Sequence, residues 1–231
     1  METTVPKLRE TTMSKIQGTY IPSDHHVFIA GRNGSGKTYL ARNYLAGYTN
    51  VFCLDIKGTL VWPEVDERDL TIVTNLRDVK KCKTDKCIYK PDPEEMTPEF
   101  YDEFFKFIYE RGNTIVWVDE VMGVTPNAQR IPFWYRAILT RGRELGVSAW
   151  SLSQRPSGIN LLPISEARHI LSFDLNLPQD RKRMAETTGS PEFLEKPGKY
   201  KFWYYNVDND NAILATLKGW ELWTRTQPLL L

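Results

Sequence analysis

The chain has 231 residues, of which 41% are hydrophobic, 12% aromatic and 26% charged. These proportions suit one folded globular domain and exclude a mostly disordered or collagen-like chain. Thirty Lys and Arg face 29 Asp and Glu, for a formal charge of +1, so any nucleic-acid contact has to come from a local patch or a ring lumen and not from a basic coat.

Met1 to Asp24 reads as a polar arm, without the apolar core of a signal peptide. The first strand is expected at His26 to Ala30. It runs into Gly31-Arg32-Asn33-Gly34-Ser35-Gly36-Lys37-Thr38, and a helix follows from Lys37 to Gly47. Val51 to Asp55 is the second strand, Leu70 to Thr74 and Cys87 to Lys90 are weaker ones, and Thr114 to Asp119 is strong. Between them, Thr97 to Arg111 predicts a helix with Thr97 as N-cap, Pro98 in the first turn, Phe100, Phe104, Phe107 and Ile108 on one face, and Gly112 beyond the end.

A second helix is expected from Ile131 to Leu145, stopped by Gly146, then strands at Val147 to Ser153 and Arg168 to Phe173, and a short basic helix at Pro178 to Thr188. Tyr200 to Val207 and Ala212 to Lys218, around Asp208 to Asn211, predict a β-hairpin. Its aromatic residues suit a half-buried edge strand better than a base-stacking platform. The last residues, 220–231, form an apolar tail. Strands that are apolar nearly throughout, alternating with helices, predict an α/β domain over 25–219 with a mostly parallel central sheet covered on both faces.

No run approaches 18 apolar residues, so no membrane segment is expected. Cys53, Cys82, Cys87 and three histidines do not complete a zinc spacing. A reduced, cytoplasmic protein without a metal cluster is expected.

The sharpest chemical signal is the G-x-x-x-x-G-K-[ST] loop between a strand and a helix. Its glycines let successive backbone N–H groups, from Gly31 to Tyr39, turn toward a phosphate, and the helix N-terminus adds its positive end. Lys37 can reach the β- and γ-phosphates of ATP, and the Thr38 hydroxyl can ligate Mg²⁺. The second signal is an apolar strand ending in Asp119-Glu120. Asp119 is placed to hold Mg²⁺ through water, and Glu120 to act as the general base that orients an attacking water. The third is Ser153-Gln154-Arg155-Pro156 closing the next strand, where Gln154 can touch both γ-phosphate and water. An Asp-Glu pair with such a Gln favours an ATP hydrolase over a small-molecule kinase.

Four features in this order resemble the FtsK/HerA superfamily of P-loop DNA translocases. They are the GRNGSGKT loop, Asp55-Ile56-Lys57-Gly58 after the second strand, IVWVDE, and Arg141-Gly142-Arg143-Glu144-Leu145-Gly146 leading into SLSQRP, where Ser153 stands in place of the usual Thr. The resemblance covers about residues 25 to 190 and implies a RecA-like ATPase fold. A bare ATPase of this size further resembles the viral genome-packaging ATPases. That resemblance implies a ring of five or six subunits, pentamer or hexamer, driving double-stranded DNA into a shell at a capsid or portal vertex in the host cytoplasm. A host-type motor of conjugation or chromosome handling is the other reading, and a P-loop kinase a third. In such rings a neighbour supplies an arginine finger; Arg143 ranks first for this, Arg141 second, and Arg155 follows Gln154. DNA contacts are expected from Lys57 in its loop and from Lys80, Lys81, Lys83 and Lys86 in the basic stretch Arg77 to Cys87, although each also fits a solvated surface.

Overall fold

The computed structural model describes residues 19–209 and 211–217. The expected tail at 220–231 and the arm up to residue 18 lie outside them. Residues 19–24 are tied to the body: the Tyr44 hydroxyl donates to the Thr19 carbonyl at 2.9 Å and the Ser148 hydroxyl to the Ser23 carbonyl at 2.7 Å. Ile21 is buried beside them.

In chain order the elements are β1 (Val27–Ala30), α1 (Lys37–Ala46), β2 (Val51–Leu54), β3 (Leu70–Val73), α2 (Leu76–Val79), β4 (Lys86–Tyr89), α3 (Pro98–Arg111) and β5 (Ile115–Val118). Then come α4 (Phe133–Arg141), β6 (Ser148–Ser153), α5 (Leu162–Ser165), β7 (His169–Ser172), α6 (Pro178–Thr188), β8 (Lys201–Asn206) and β9 (Ile213–Thr216). The strands form one sheet in the order β3-β4-β2-β5-β6-β1-β7-β8-β9. Pairing is parallel from β3 to β7 and antiparallel for β8 and β9, which form the expected C-terminal hairpin on one edge.

Side-chain alternation divides the core between the two faces. Val27 and Ile29 of β1, Cys53 of β2 and Trp117 of β5 pack with Leu40, Ala41, Tyr44 and Leu45 of α1. Phe28 and Ala30, Phe52, Val116 and Val118 pack with α3 and α4 on the other face. Strands covered on both sides have no wet face, which is why their sequence is apolar without a polar alternation.

The α3 helix starts as expected, with Thr97 accepting from the Phe100 N–H and Gly112 at φ 67 after its end. Its core stripe is Tyr101, Phe104, Phe105 and Ile108. Phe100 is exposed and Phe107 only partly buried, so the buried face is rotated from the expected one. Phe105 stacks on Tyr135 of α4 at 4.5 Å, which fixes that rotation. The helix expected from Ile131 to Leu145 begins after Pro132, where the Trp134 N–H is capped by Asp102 of α3 at 2.7 Å, and it tightens into a 3-10 turn over Gly142–Leu145.

All three histidines gather at the N-terminal edge of the sheet. The Ala149 N–H donates to His26 Nδ1 at 2.9 Å, and His169 joins His25 Nε2-to-Nδ1 at 2.9 Å and the Tyr204 hydroxyl at 2.9 Å. Burial pushes His26 and His169 each down to about 4, with the His25 and Arg143 or Arg168 charges adding to it. The unfolded chain therefore binds protons near pH 5 that the native imidazoles refuse. Stability is full above about pH 6.5 and is lost as the pH falls toward 4, by about 2 kcal/mol for each ring at pH 5. Thermal unfolding at pH 5 should show a midpoint several degrees below that at pH 7.5; equal midpoints contradict this account of the cluster.

Candidate active site

Parallel strands bring their C-terminal ends to one edge of the sheet, and there the loops after β1, β2, β5, β6 and β7 meet. The loop leaving β1 is fastened on both sides. The Gly31 N–H donates to the Ser153 carbonyl of β6 at 3.2 Å, and the Arg32 N–H to the Asp174 carbonyl beyond β7 at 2.8 Å. Its curl needs glycine at two places. Gly31 stands at φ 154, where a Cβ would come within 2.6 Å of the Ser35 hydroxyl and 2.7 Å of Phe173 Cβ; Gly36, just before α1, stands at φ 110.

No side chain caps α1, so the N–H groups of its first turn remain available to an anion. Lys37 is buried and its ammonium donates to the carbonyls of Gly31 at 2.7 Å and Arg32 at 3.1 Å. Burial pushes it down to about 8 against the opposing pull of the Glu120 charge. The buried Ser35 hydroxyl has no hydrogen-bond partner among the described residues. A desolvated cation, an unpaired hydroxyl and open helix N–H groups are together what phosphate oxygens can satisfy. Asn33 and Tyr39 are exposed on the rim.

Beside this loop, Thr38 donates to Asp119 Oδ1 at 3.1 Å. Burial raises the Asp119 carboxyl, against the pull of Lys57 and the Thr38 hydrogen bond. A hydroxyl and a carboxylate in contact are hard oxygen donors suited to Mg²⁺, which binds through one or two carboxylates plus substrate phosphates. Among the described residues no cluster of His, Cys, Asp and Glu could hold a metal by itself, so the fit here is for an ion shared with phosphate.

Glu120 is held from two sides. Gln154 Nε2 donates to its Oε2 at 3.0 Å and Lys57 Nζ donates to the same oxygen at 3.1 Å. The loop that presents Lys57 is ordered by buried Asp55, whose carboxylate accepts from the Leu60 N–H at 2.7 Å, while Lys90 donates to the Gly58 carbonyl at 3.2 Å. Gln154 is placed by the end of β6 and by Asp180 in the first turn of α6. Asp180 is buried and accepts from Arg155 Nε at 3.0 Å and from the Ser157 N–H and hydroxyl at 3.0 and 2.6 Å. Arg155 is thus engaged in holding its own turn.

The structure therefore brings Lys37, Thr38, Asp119, Glu120 and Gln154 to one edge. Lys57, expected as a DNA contact, stands among them. Asp55 opens the Asp-Ile-Lys-Gly element read from the sequence, whereas Asp180, which holds the turn that presents Gln154, carries no motif of its own.

Arg141 and Arg143 lie elsewhere. Arg141 closes α4 and Arg143 lies in the turn before β6, where it pairs with Asp24 at 3.4 Å. That is the N-terminal edge, about 20 Å from the loops at the other end of a six-residue strand, so neither guanidinium faces Lys37 of its own chain. Of the basic stretch, Lys80 pairs with Glu103 at 3.1 Å, Lys81 with Asp78 at 3.7 Å, and both are exposed, as is Lys83. Lys86 overturns the expectation for it: its place in the covered strand β4 buries it, out of reach of a DNA phosphate.

The fold and this edge define a P-loop NTPase. Within that class the chain is similar to viral genome-packaging ATPases. It is 27% identical to the DNA packaging ATPase P9 of Enterobacteria phage PRD1 over 219 residues, covering 85% of this chain and 88% of that one. The genome-packaging NTPase B204 of Sulfolobus turreted icosahedral virus 2, solved in complex with AMPPCP, superposes with a TM-score of 0.68 at 18% identity, over 84% of this chain and 98% of that one. The conjugation coupling protein TcpA of pCW3 shares the fold at a TM-score of 0.55 and 13% identity, over 84% of this chain and 60% of that one. No family model matches the chain.

The seat of Gly31 gives a direct test. Gly31→Ala should lower nucleotide affinity by at least about tenfold, since the added Cβ meets Ser35 and the buried Phe173 and displaces the loop at a cost of the order of 1.4 kcal/mol. Titration with a fluorescent nucleotide, alongside a melting curve showing that the variant is folded, measures this; unchanged affinity contradicts the described loop geometry.

Proposed function

We propose that this protein is an ATP-hydrolysing motor that drives double-stranded DNA into a viral capsid, working as a homo-oligomeric ring of five or six copies at a capsid or portal vertex. The observation that carries the hydrolytic part is Glu120 held beside Gln154 next to the Thr38–Asp119 pair. A kinase that passes phosphate to a small acceptor has no need of a base at that position. The similarity to the PRD1 packaging ATPase supports the DNA-moving part. Among the described residues no helix is long and apolar enough to cross a membrane, which fits a motor that docks on a shell. Residues 25–219 are the motor unit in this reading, with 1–24 as an arm and 220–231 as a tail.

In this mechanism the loop from Gly31 to Tyr39 and the Lys37 ammonium hold the β- and γ-phosphates. Thr38 and Asp119 would hold Mg²⁺, which would supply charge neutralisation on the phosphate oxygens. Glu120 takes a proton from the attacking water and Gln154 keeps both in line. For this, Glu120 has to turn an oxygen to the water, and its Oε2 is engaged by the Lys57 ammonium and by Gln154 Nε2. The distance of Arg143 and Arg141 from their own loop fits a role toward a neighbour's nucleotide, where an arginine stabilises charge on the transferring phosphoryl group. Exposed Lys80, Lys81 and Lys83 would meet DNA phosphates without reading bases.

Glu120→Gln should bind ATP as wild type does while turnover falls by about 10²- to 10⁴-fold; hydrolysis near the wild-type rate removes Glu120 from the role of base. For the arginine, Arg143→Ala subunits mixed with Lys37→Ala subunits should recover ATPase activity that neither has alone. Recovery fails if Arg143 serves the nucleotide of its own subunit.

A further inference from the structure

On the nucleotide-binding reading above, a triphosphate seated in the loop has a fixed direction. Its terminal phosphate points toward Glu120 and Gln154, at the ends of β5 and β6. The nucleoside half then leaves on the other side of β1, over the end of β7 and the start of β8. A cleft lies there, with Arg32, Gly34 and Ser35 of the loop on one side and Asp174 and Gly198 to Tyr200 on the other.

Two features of this cleft are unexplained by the fold. Arg32 Nε donates to Asp174 Oδ2 at 3.2 Å, but Asp174 Oδ1 is buried without a hydrogen-bond partner among the described residues. A carboxylate oxygen left in that state is costly unless something donates to it. Tyr200 stands at φ 59, a left-handed conformation that is strained for a residue with a Cβ. It is pinned there by the Leu217 N–H donating to its carbonyl at 3.0 Å, and by the turn in which the Lys201 N–H donates to the Gly198 carbonyl at 3.2 Å. The result is an exposed phenol ring with the Lys199 ammonium over it at 4.9 Å. A strained backbone that holds an aromatic ring in solvent beside a phosphate loop is a platform for a planar group.

We infer that this cleft receives the nucleoside: Asp174 accepts from a ribose hydroxyl, and the base stacks on Tyr200. The order follows from distance along the ligand. Asp174 is joined to the loop itself through Arg32, where the sugar next to the phosphates falls, and Tyr200 stands on the far wall. Stacking of this kind tolerates different bases, because every base offers a flat face. A ribose contact recognises the sugar whatever base it carries. The C-terminal hairpin, which extends the sheet, thereby supplies its first loop to the nucleotide.

The test compares ATP with inorganic tripolyphosphate, which fills the loop and lacks the nucleoside. Affinities for both are measured by displacement of a fluorescent nucleotide from the full chain, in wild type, Tyr200→Ala and Asp174→Ala. Wild type should bind ATP more tightly than tripolyphosphate. The ratio of the two affinities should fall about tenfold in each variant. A ratio unchanged in either variant overturns the inference, as does a wild type that binds the two ligands equally, and both results leave the ATPase reading intact. A wild type that binds neither ligand overturns the ATPase reading itself and the inference with it.

Discussion

The site exists because β5, β6, β1 and β7 run side by side in the same direction. In a parallel array every strand ends at the same edge, so loops far apart in the chain are forced together. The register is tight: Ala30 pairs with Ser153 on one side and Ser172 on the other. From that alignment the Gly31 N–H reaches the Ser153 carbonyl, and the Arg32 N–H reaches Asp174. A slip of β1 by one residue would turn Phe28 and Ile29 to the wrong faces and detach the loop from both neighbours. The apolar packing of two covered faces is thus what holds a polar loop in place.

At that edge the charges are arranged so that each depends on another. Lys37 is buried, Asp119 is buried, and Glu120 is held between Lys57 and Gln154. Desolvation lowers the lysine and raises the aspartate, while their mutual attraction opposes both shifts. Anionic phosphate and a divalent cation would relieve these two costs together, which couples their binding. Lys57 is the outlier in this arrangement. It comes from the loop after β2, stiffened by Asp55 and Lys90, and it ends on the residue proposed as the base. The chemistry and the β2 loop cannot move independently while that ion pair stands.

Much of this was legible in the sequence. The strand positions followed from short apolar β-branched runs, and the helix starts from Thr97-Pro98 and from Gly36-Lys37. The convergence of Lys37, Thr38, Asp119, Glu120 and Gln154 at one edge followed from their places just after strands of a parallel sheet. What escaped were facts set by tertiary packing. The face of α3 turned on the Phe105–Tyr135 stack, which spacing alone does not encode. Lys86 looked like one more cation of a basic stretch, but β4 carries it into the sheet. Lys57 bears a charge that suits DNA and carboxylate alike, and only the path of its loop shows that it meets Glu120. Asp180 lies 26 positions beyond Gln154 and has no motif of its own, yet it holds the turn that presents that glutamine.

The central claim is that ATP hydrolysis at this edge is coupled to duplex DNA. Phosphate release by the full chain, measured with and without double-stranded DNA in the presence of Mg²⁺, tests it most directly. The account predicts hydrolysis that rises when duplex is added and disappears in Lys37→Ala. An absence of hydrolysis under both conditions, or a rate indifferent to DNA, would contradict it.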